Sequence, residues 1–309
     1  MPELPDVLLY LHALERRLVG RELLGLRLRG PSLLRSVEPP LAAGLGRRFL
    51  GVRRLGKRIV LACEGELFYV IHPMIAGRFQ WRPAGAGLGK IVHLAFDLGG
   101  LEGEEPATLL LTEASKQKRA TLHVVSGEDG LREHDPGGLD VLAAELPAFR
   151  ERLQDAKHTL KRALTSPRLL DGIGNAYSDE ILHAAQLSPF KRIASLSEAE
   201  WVTLHAACQD VLRSWSERLI GETGDAWPSK VSAFRPEMAV HGKAGEPCPR
   251  CQAPVQRIRY AKNEANYCAA CQTGGKLLAD RALSRLLKDD WPKTLEELER
   301  LPGRGQGQA

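Results

Sequence analysis

The chain has 309 residues, with 43 Lys or Arg against 38 Asp or Glu and a formal net charge of +5. That length suits two ordinary domains, and the mild basicity suits a polyanionic partner without requiring one. No apolar run approaches a membrane span, and VLLYLHAL (7–14) lacks a basic leader and reads as a helix face, which argues against a membrane or disulfide-stapled secreted protein.

At the N-terminus, MPELPD holds two prolines and two acids. Loss of Met1 ahead of a small residue would leave Pro2 as a secondary amine. An α-amino group has a reference pKa of about 8, against about 10.4 for lysine, so it is the better-populated nucleophile near neutral pH. Glu3 beside it can give or take a proton. The competing reading is a Pro-containing cap before the first helix. Val7, Leu8, Leu11, Leu14 and Leu18 predict that helix over 5–19.

From there to about residue 125, short alternating runs broken by Gly and Pro predict strands, at 22–30, 49–63, 66–72, 91–98, 107–112 and 120–125. One helix followed by such strands predicts a β-sandwich or barrel with a flanking helix. Two basic clusters fall here, Arg47, Arg48, Arg53, Arg54, Lys57 and Arg58, then Lys116, Lys118 and Arg119. Each also reads as a solvated strand face. Cys63 and Cys208 stand alone and read as small core residues.

A first domain is expected over 1–130, a turn-rich linker over 131–142 and a helical domain over 143–240. In the helical domain Gly172-x-Gly174 precedes a helix for which Asn175 is placed as N-cap. Free N–H groups at such a helix start suit a phosphate, although an ordinary interhelical turn has the same pattern. Further on, Cys248, Cys251, Cys268 and Cys271 form C-x2-C-x16-C-x2-C. Two such knuckles complete a tetrahedral S4 shell, so one structural zinc per chain is expected, within a domain spanning 241–275. The residues between the knuckles have room for a β-hairpin carrying Arg257, Arg259 and Lys262, with its tip near Asn263 and Glu264. A charged, helical-period tail opens the C-terminal extension, 276–309.

The segments PELPD, LGKRIV, GIGNAYSDEIL, CPRC and CAACQ stand in the order of the motifs of the formamidopyrimidine-DNA glycosylase / endonuclease VIII (Fpg/Nei) family, which the chain resembles over nearly its whole length. The resemblance implies an α+β multidomain fold: an N-terminal β-sandwich with flanking helix, a helix-two-turns-helix domain and a C-terminal zinc-finger β-hairpin. It implies a bifunctional DNA glycosylase/AP lyase of base excision repair acting on damaged DNA, duplex or single-stranded. Pro2 resembles the nucleophile that attacks C1′ of the damaged nucleotide, and Glu3 the acid that assists ring opening and proton transfers. Lys57 resembles the lysine that holds a phosphate beside the lesion. Gly174 and Asn175 resemble the turn that binds backbone phosphate.

Three departures narrow what carries over. Asn263 stands where the family has a phosphate-gripping arginine, leaving Arg259 or Lys262 to compensate. Ile75 occupies the place of the void-filling methionine, with Met74 beside it, and TEASKQKRA (112–120) lacks the family's Arg-Phe pair. Asp6 replaces one usual glutamate, and Leu8 stands where a second is common. A monomeric, cytoplasmic, nucleoid-associated enzyme is expected. The alternative is a non-catalytic damage binder, or a specialist in abasic sites and unusual lesions.

Overall fold

The computed structural model describes residues 1–232, 234–260, 263–279 and 292–300. Lys262 and the middle of the charged tail lie outside the described residues. The chain divides into two compact units, Met1–Gly138 with Arg213–Ala233, and Leu139–Leu212 with Phe234–Ala309.

The first unit starts with helix α1 (Leu4–Leu18) and continues with strands β1 (Leu23–Leu28), β2 (Phe49–Leu55), β3 (Arg58–Cys63), β4 (Leu67–His72), β5 (Gly77–Pro83), β6 (Val92–Leu98), β7 (Ala107–Glu113) and β8 (Thr121–Ser126). They form two antiparallel four-stranded sheets, β1-β6-β7-β5 and β2-β3-β4-β8. Strand alternation sorts the side chains. Ile59, Leu61, Tyr69 and Ile71 face Phe79, Phe96, Leu109 and Leu111 in one sandwich core, while Val60, Phe68 and Val70 pack on the opposite face of their sheet with Leu131. Leu14 and Leu18 of α1 enter the same sandwich core, one helical turn apart. Leu131 belongs to α2 (Gly127–Arg132), whose end occupies the start of the stretch expected as linker.

Strand β5 was not among the expected strands, although Arg78, Gln80 and Arg82 alternate with Phe79 and Trp81 at the strand period. It is an edge strand, and its open side is closed by aromatic side chains. The Phe79 N–H donates to the Tyr10 hydroxyl (3.3 Å), and Trp227 Nε1–H donates to the Phe79 carbonyl (3.1 Å). Trp215, Leu219, Ile220 and Val231 pack with the same core, so the segment Arg213–Ala233 joins the sandwich. The stretch 143–240 is thereby shared between the two units.

The second unit holds α3 (Leu146–Gln154), α4 (Leu160–Leu164), α5 (Asn175–Ala184) and the first part of α6 (Glu198–Thr223). The antiparallel hairpin β9 (Val255–Tyr260) and β10 (Asn263–Cys268) follows, then α7 (Ala269–Thr273) and α8 (Leu295–Glu299). One expectation shifts by one residue. The N-cap of α5 is Gly174, and Asn175 is the first helical residue. Asn263 and Glu264 open β10 as paired strand residues, opposite Tyr260 and Arg259.

Candidate active site

In the first unit, α1 holds the chain start in place. Pro2 is buried, Glu3 is 3 % exposed and Asp6 is fully buried. The Glu3 N–H donates to the Asp6 carboxylate (3.0 Å), and the Val7 N–H to the Glu3 carbonyl (2.9 Å). These bonds satisfy the helix entry at Glu3. Pro5 sits in the first turn, where its missing N–H costs nothing.

Lys57 occupies a two-residue turn joining β2 to β3, with Gly56 before it at φ +62°. A side chain there would be strained, so glycine permits the tight reversal that presents Lys57. The charge of Lys57 bears on the terminal amine. Burial lowers the pKa of the Met1 amino group below its ordinary value, Glu3 and Asp6 oppose the change, and Arg78 and Lys57 add to it. A more weakly basic amine is unprotonated, and nucleophilic, over more of the neutral range.

His72 and Arg78 complete this environment, and the sequence reading had not singled them out. Burial, then Arg58, Lys57 and the terminal amine, push the His72 pKa down to about 4. Its Nδ1 accepts the Met74 N–H (3.1 Å), so at neutral pH the imidazole carries its single proton on Nε2. The loop after it is tight: Met74 has φ +55°, and a Cβ on Gly77 would lie 2.2 Å from the Pro73 carbonyl oxygen. Arg78 Nη1 donates to the Ile75 (3.0 Å) and Gly77 (2.6 Å) carbonyls, bracing this loop, and Ile75 stands 58 % exposed on it. The segment 112–120 is ordered around buried Glu113. Its carboxylate accepts the Arg119 N–H (2.8 Å), and its carbonyl accepts Lys118 Nζ (2.7 Å).

The second unit holds the residues expected to meet phosphate. Gly172, at φ +76°, turns the chain into α5, and Gly174 caps it. Lys161 Nζ donates to the Asn175 carbonyl (2.7 Å) and to Asp179 Oδ1 (2.5 Å). Asp179 Oδ2 in turn meets His241 Nδ1 (2.8 Å) and Asn266 Nδ2 (3.1 Å). Glu180 accepts the N–H groups of Ala239, Val240 and His241 at 2.7–2.9 Å. Burial raises the Glu180 pKa, and those three donors oppose the rise. Adjacent carboxylates of α5 thus fasten both the strap before the finger and strand β10. Arg257 and Arg259 project outward on either side of buried Ile258, with Arg259 opposite Glu264.

All four cysteine sulfurs lie within 4.8 Å of one another, Cys251 to Cys268 at 3.4 Å and Cys248 to Cys271 at 4.0 Å. A disulfide needs about 2.05 Å. A zinc tetrahedron with Zn–S of about 2.3 Å has sulfur–sulfur edges of about 3.8 Å. The four thiols therefore fit one structural zinc, with every coordination position filled by protein. Among the described residues no helix is long and apolar enough to cross a membrane.

Comparison with known proteins places these parts in a familiar order. The formamidopyrimidine-DNA glycosylase N-terminal domain matches residues 1–122, its H2TH domain 138–219, and the zinc finger found in FPG and IleRS 245–274. An uncharacterized formamidopyrimidine-DNA glycosylase-like protein of Mycobacterium tuberculosis is 40 % identical over 153 residues, which is 50 % of this chain and 93 % of that protein. The solved complex between Lactococcus lactis Fpg and abasic-site DNA superposes with a TM-score of 0.77 at 25 % identity, covering 88 % of this chain and 99 % of that one. The formamidopyrimidine-DNA glycosylase of Chloroflexus aurantiacus is 30 % identical over 283 residues, 88 % of this chain and 98 % of the relative. With domain order, fold and near full-length identity in agreement, the chain belongs to the formamidopyrimidine-DNA glycosylase family.

Proposed function

We propose that the chain is a DNA glycosylase of base excision repair that also cleaves the strand, through a Schiff base on its N-terminal proline. The observation that carries this reading is the setting of the terminus, with Pro2 and Glu3 both buried at the start of α1 and with Arg78 and Lys57 close enough for their charges to bear on the chain start. Removal of Met1 leaves the Pro2 nitrogen as a free secondary amine. It attacks C1′ of a nucleotide turned out of the stack, the base departs with a proton, and an iminium forms. Glu3 serves as the proton partner for ring opening. The iminium acidifies C2′–H; loss of that proton expels the 3′ phosphate, and a second elimination expels the 5′ phosphate. Lys57 and the neutral His72 Nε2–H are donors suited to a phosphate beside the reacting sugar. Gly174 and Asn175, with Arg259 on the hairpin, supply the grip on the backbone in the second unit.

Borohydride reduction in the presence of abasic DNA tests the chemistry. The processed chain is expected to form a covalent adduct, and one extra residue ahead of Pro2 to lower adduct yield by about 100-fold or more. Equal yields from both chains would overturn the mechanism. Glu3→Gln is expected to cost base release about 100-fold to 10,000-fold.

A second reading, a specialist in abasic sites or unusual lesions, is favoured by Asn263 in place of the clamp arginine and by Ile75 at the void-filling loop. A panel of lesions in single- and double-stranded DNA separates the two.

A further inference from the structure

Four thiolates on one divalent cation leave negative charge in excess, and that charge needs donors. Two of the sulfurs find them on their own knuckles. Cys251 accepts the backbone N–H of Ala253, and Cys268 that of Cys271. Cys251 is also exposed to solvent, whereas Cys248 is fully buried. The donor at Cys248 comes from a remote element: His183 Nε2, on the last turn of α5, lies 3.2 Å from its sulfur. His183 is itself buried, 5 % exposed, and Arg250 of the first knuckle adds its positive charge nearby.

The sulfur decides the tautomer. A zinc-bound cysteine is a thiolate and can only accept, so the contact requires the imidazole proton on Nε2. His183 follows Asp179 and Glu180 by one helical turn, on the face of α5 already tied to Asn266 and to the Ala239–His241 strap. An ordinary core histidine would fill this space equally well. It would not direct a ring N–H at a fully buried sulfur of the four-cysteine cluster.

We infer that His183 is an outer-shell residue of the zinc centre, donating its Nε2–H to the Cys248 thiolate so that helix α5 helps to retain the metal. Removing such a partner ordinarily costs about 10–100-fold in metal affinity. The helix that begins with Asn175 is then linked to the zinc centre at its far end, so metal loss is felt along α5.

The full-length chain carrying His183→Phe or His183→Gln, loaded with zinc, tests this by equilibrium competition with a chromogenic chelator. His183→Phe is expected to lose about 10–100-fold in zinc affinity, and His183→Gln, whose amide can still donate to sulfur, to recover part of it. With cobalt(II) in place of zinc, the thiolate charge-transfer bands should shift in His183→Phe and move back in His183→Gln. Zinc affinity within twofold of wild type in His183→Phe, with unchanged cobalt bands, would overturn the assignment. Loss of metal without recovery in His183→Gln would also overturn it, by reducing His183 to a packing residue. Thermal melts of the loaded proteins show whether each variant folds. None of these measurements involves DNA, so their outcome is independent of the glycosylase reading.

Discussion

Lys57 and Lys161 stand among carboxylates and histidines, one in each unit, and they are used in opposite ways. Lys161 is 2 % exposed and its charge is answered locally, by Asp179 at 2.5 Å and the Asn175 carbonyl at 2.7 Å. The carboxylate is answered again by His241 and Asn266. Lys57 is partly exposed on a turn, and it adds to burial in favouring the neutral forms of an amine and an imidazole, with Arg78 at the first and Arg58 at the second. A buried charge with every partner in place fixes geometry. Burial, with cations left beside a titratable group, shifts its proton equilibrium, which chemistry at a terminus requires.

Zinc removal tests the structural half of this contrast most severely. Structural zinc in small fingers is worth about 10–16 kcal/mol at pH 7. Chelation is therefore expected to melt the finger and lower DNA affinity, while calorimetry still records the unfolding of the sandwich unit. Loss of both transitions together would erase the distinction between the units.

Next in size is Asp179→Ala, which strands Lys161 in the interior. Destabilisation of about 3–5 kcal/mol is expected from denaturant unfolding. Lys57→Ala is expected to stay within about 1 kcal/mol of wild type while lowering the yield of reductive trapping. Similar stability losses in the two variants would refute the division between structural and chemical lysines.

Smaller than the loss in Asp179→Ala is a pH dependence in the first unit. The folded His72 pKa of about 4 lies below its ordinary value of 6.5, so the unfolded chain takes up the proton first. Stability from this residue is complete above pH 6.5 and is lost as pH falls toward 4, by at most about 3 kcal/mol. Unfolding curves at pH 7 and pH 4.5 should differ less for His72→Gln than for wild type. An unchanged pH slope in that variant would show that His72 is not held neutral by its surroundings.

The strand runs and the first helix were readable because alternation and helical period are local properties of the text. Strand β5 escaped although it alternates, because only Phe79 and Trp81 mark its apolar face and the run is short. The basic cluster around residues 47–58 read as a solvated strand face, and the structure gives several of its members partners there. Arg47 donates to the Glu64 carbonyl, Arg48 to the Gly20 carbonyl, and Arg53 pairs with Glu128.

From sequence alone came the chemistry available at each place: a proline and an acid at the terminus, two cysteine knuckles at zinc spacing, a glycine turn before a helix, and a lysine in a hairpin. Each is written in neighbouring residues, where spacing constrains geometry directly. Tertiary structure alone decided that His72 and Arg78 would share the terminus with Lys57, that Arg213–Ala233 would join the sandwich, and that Asp179, Glu180 and His183 would bind one helix to the finger. Those meetings depend on pairings between residues far apart in the chain, and no local period records which distant partner a side chain will find.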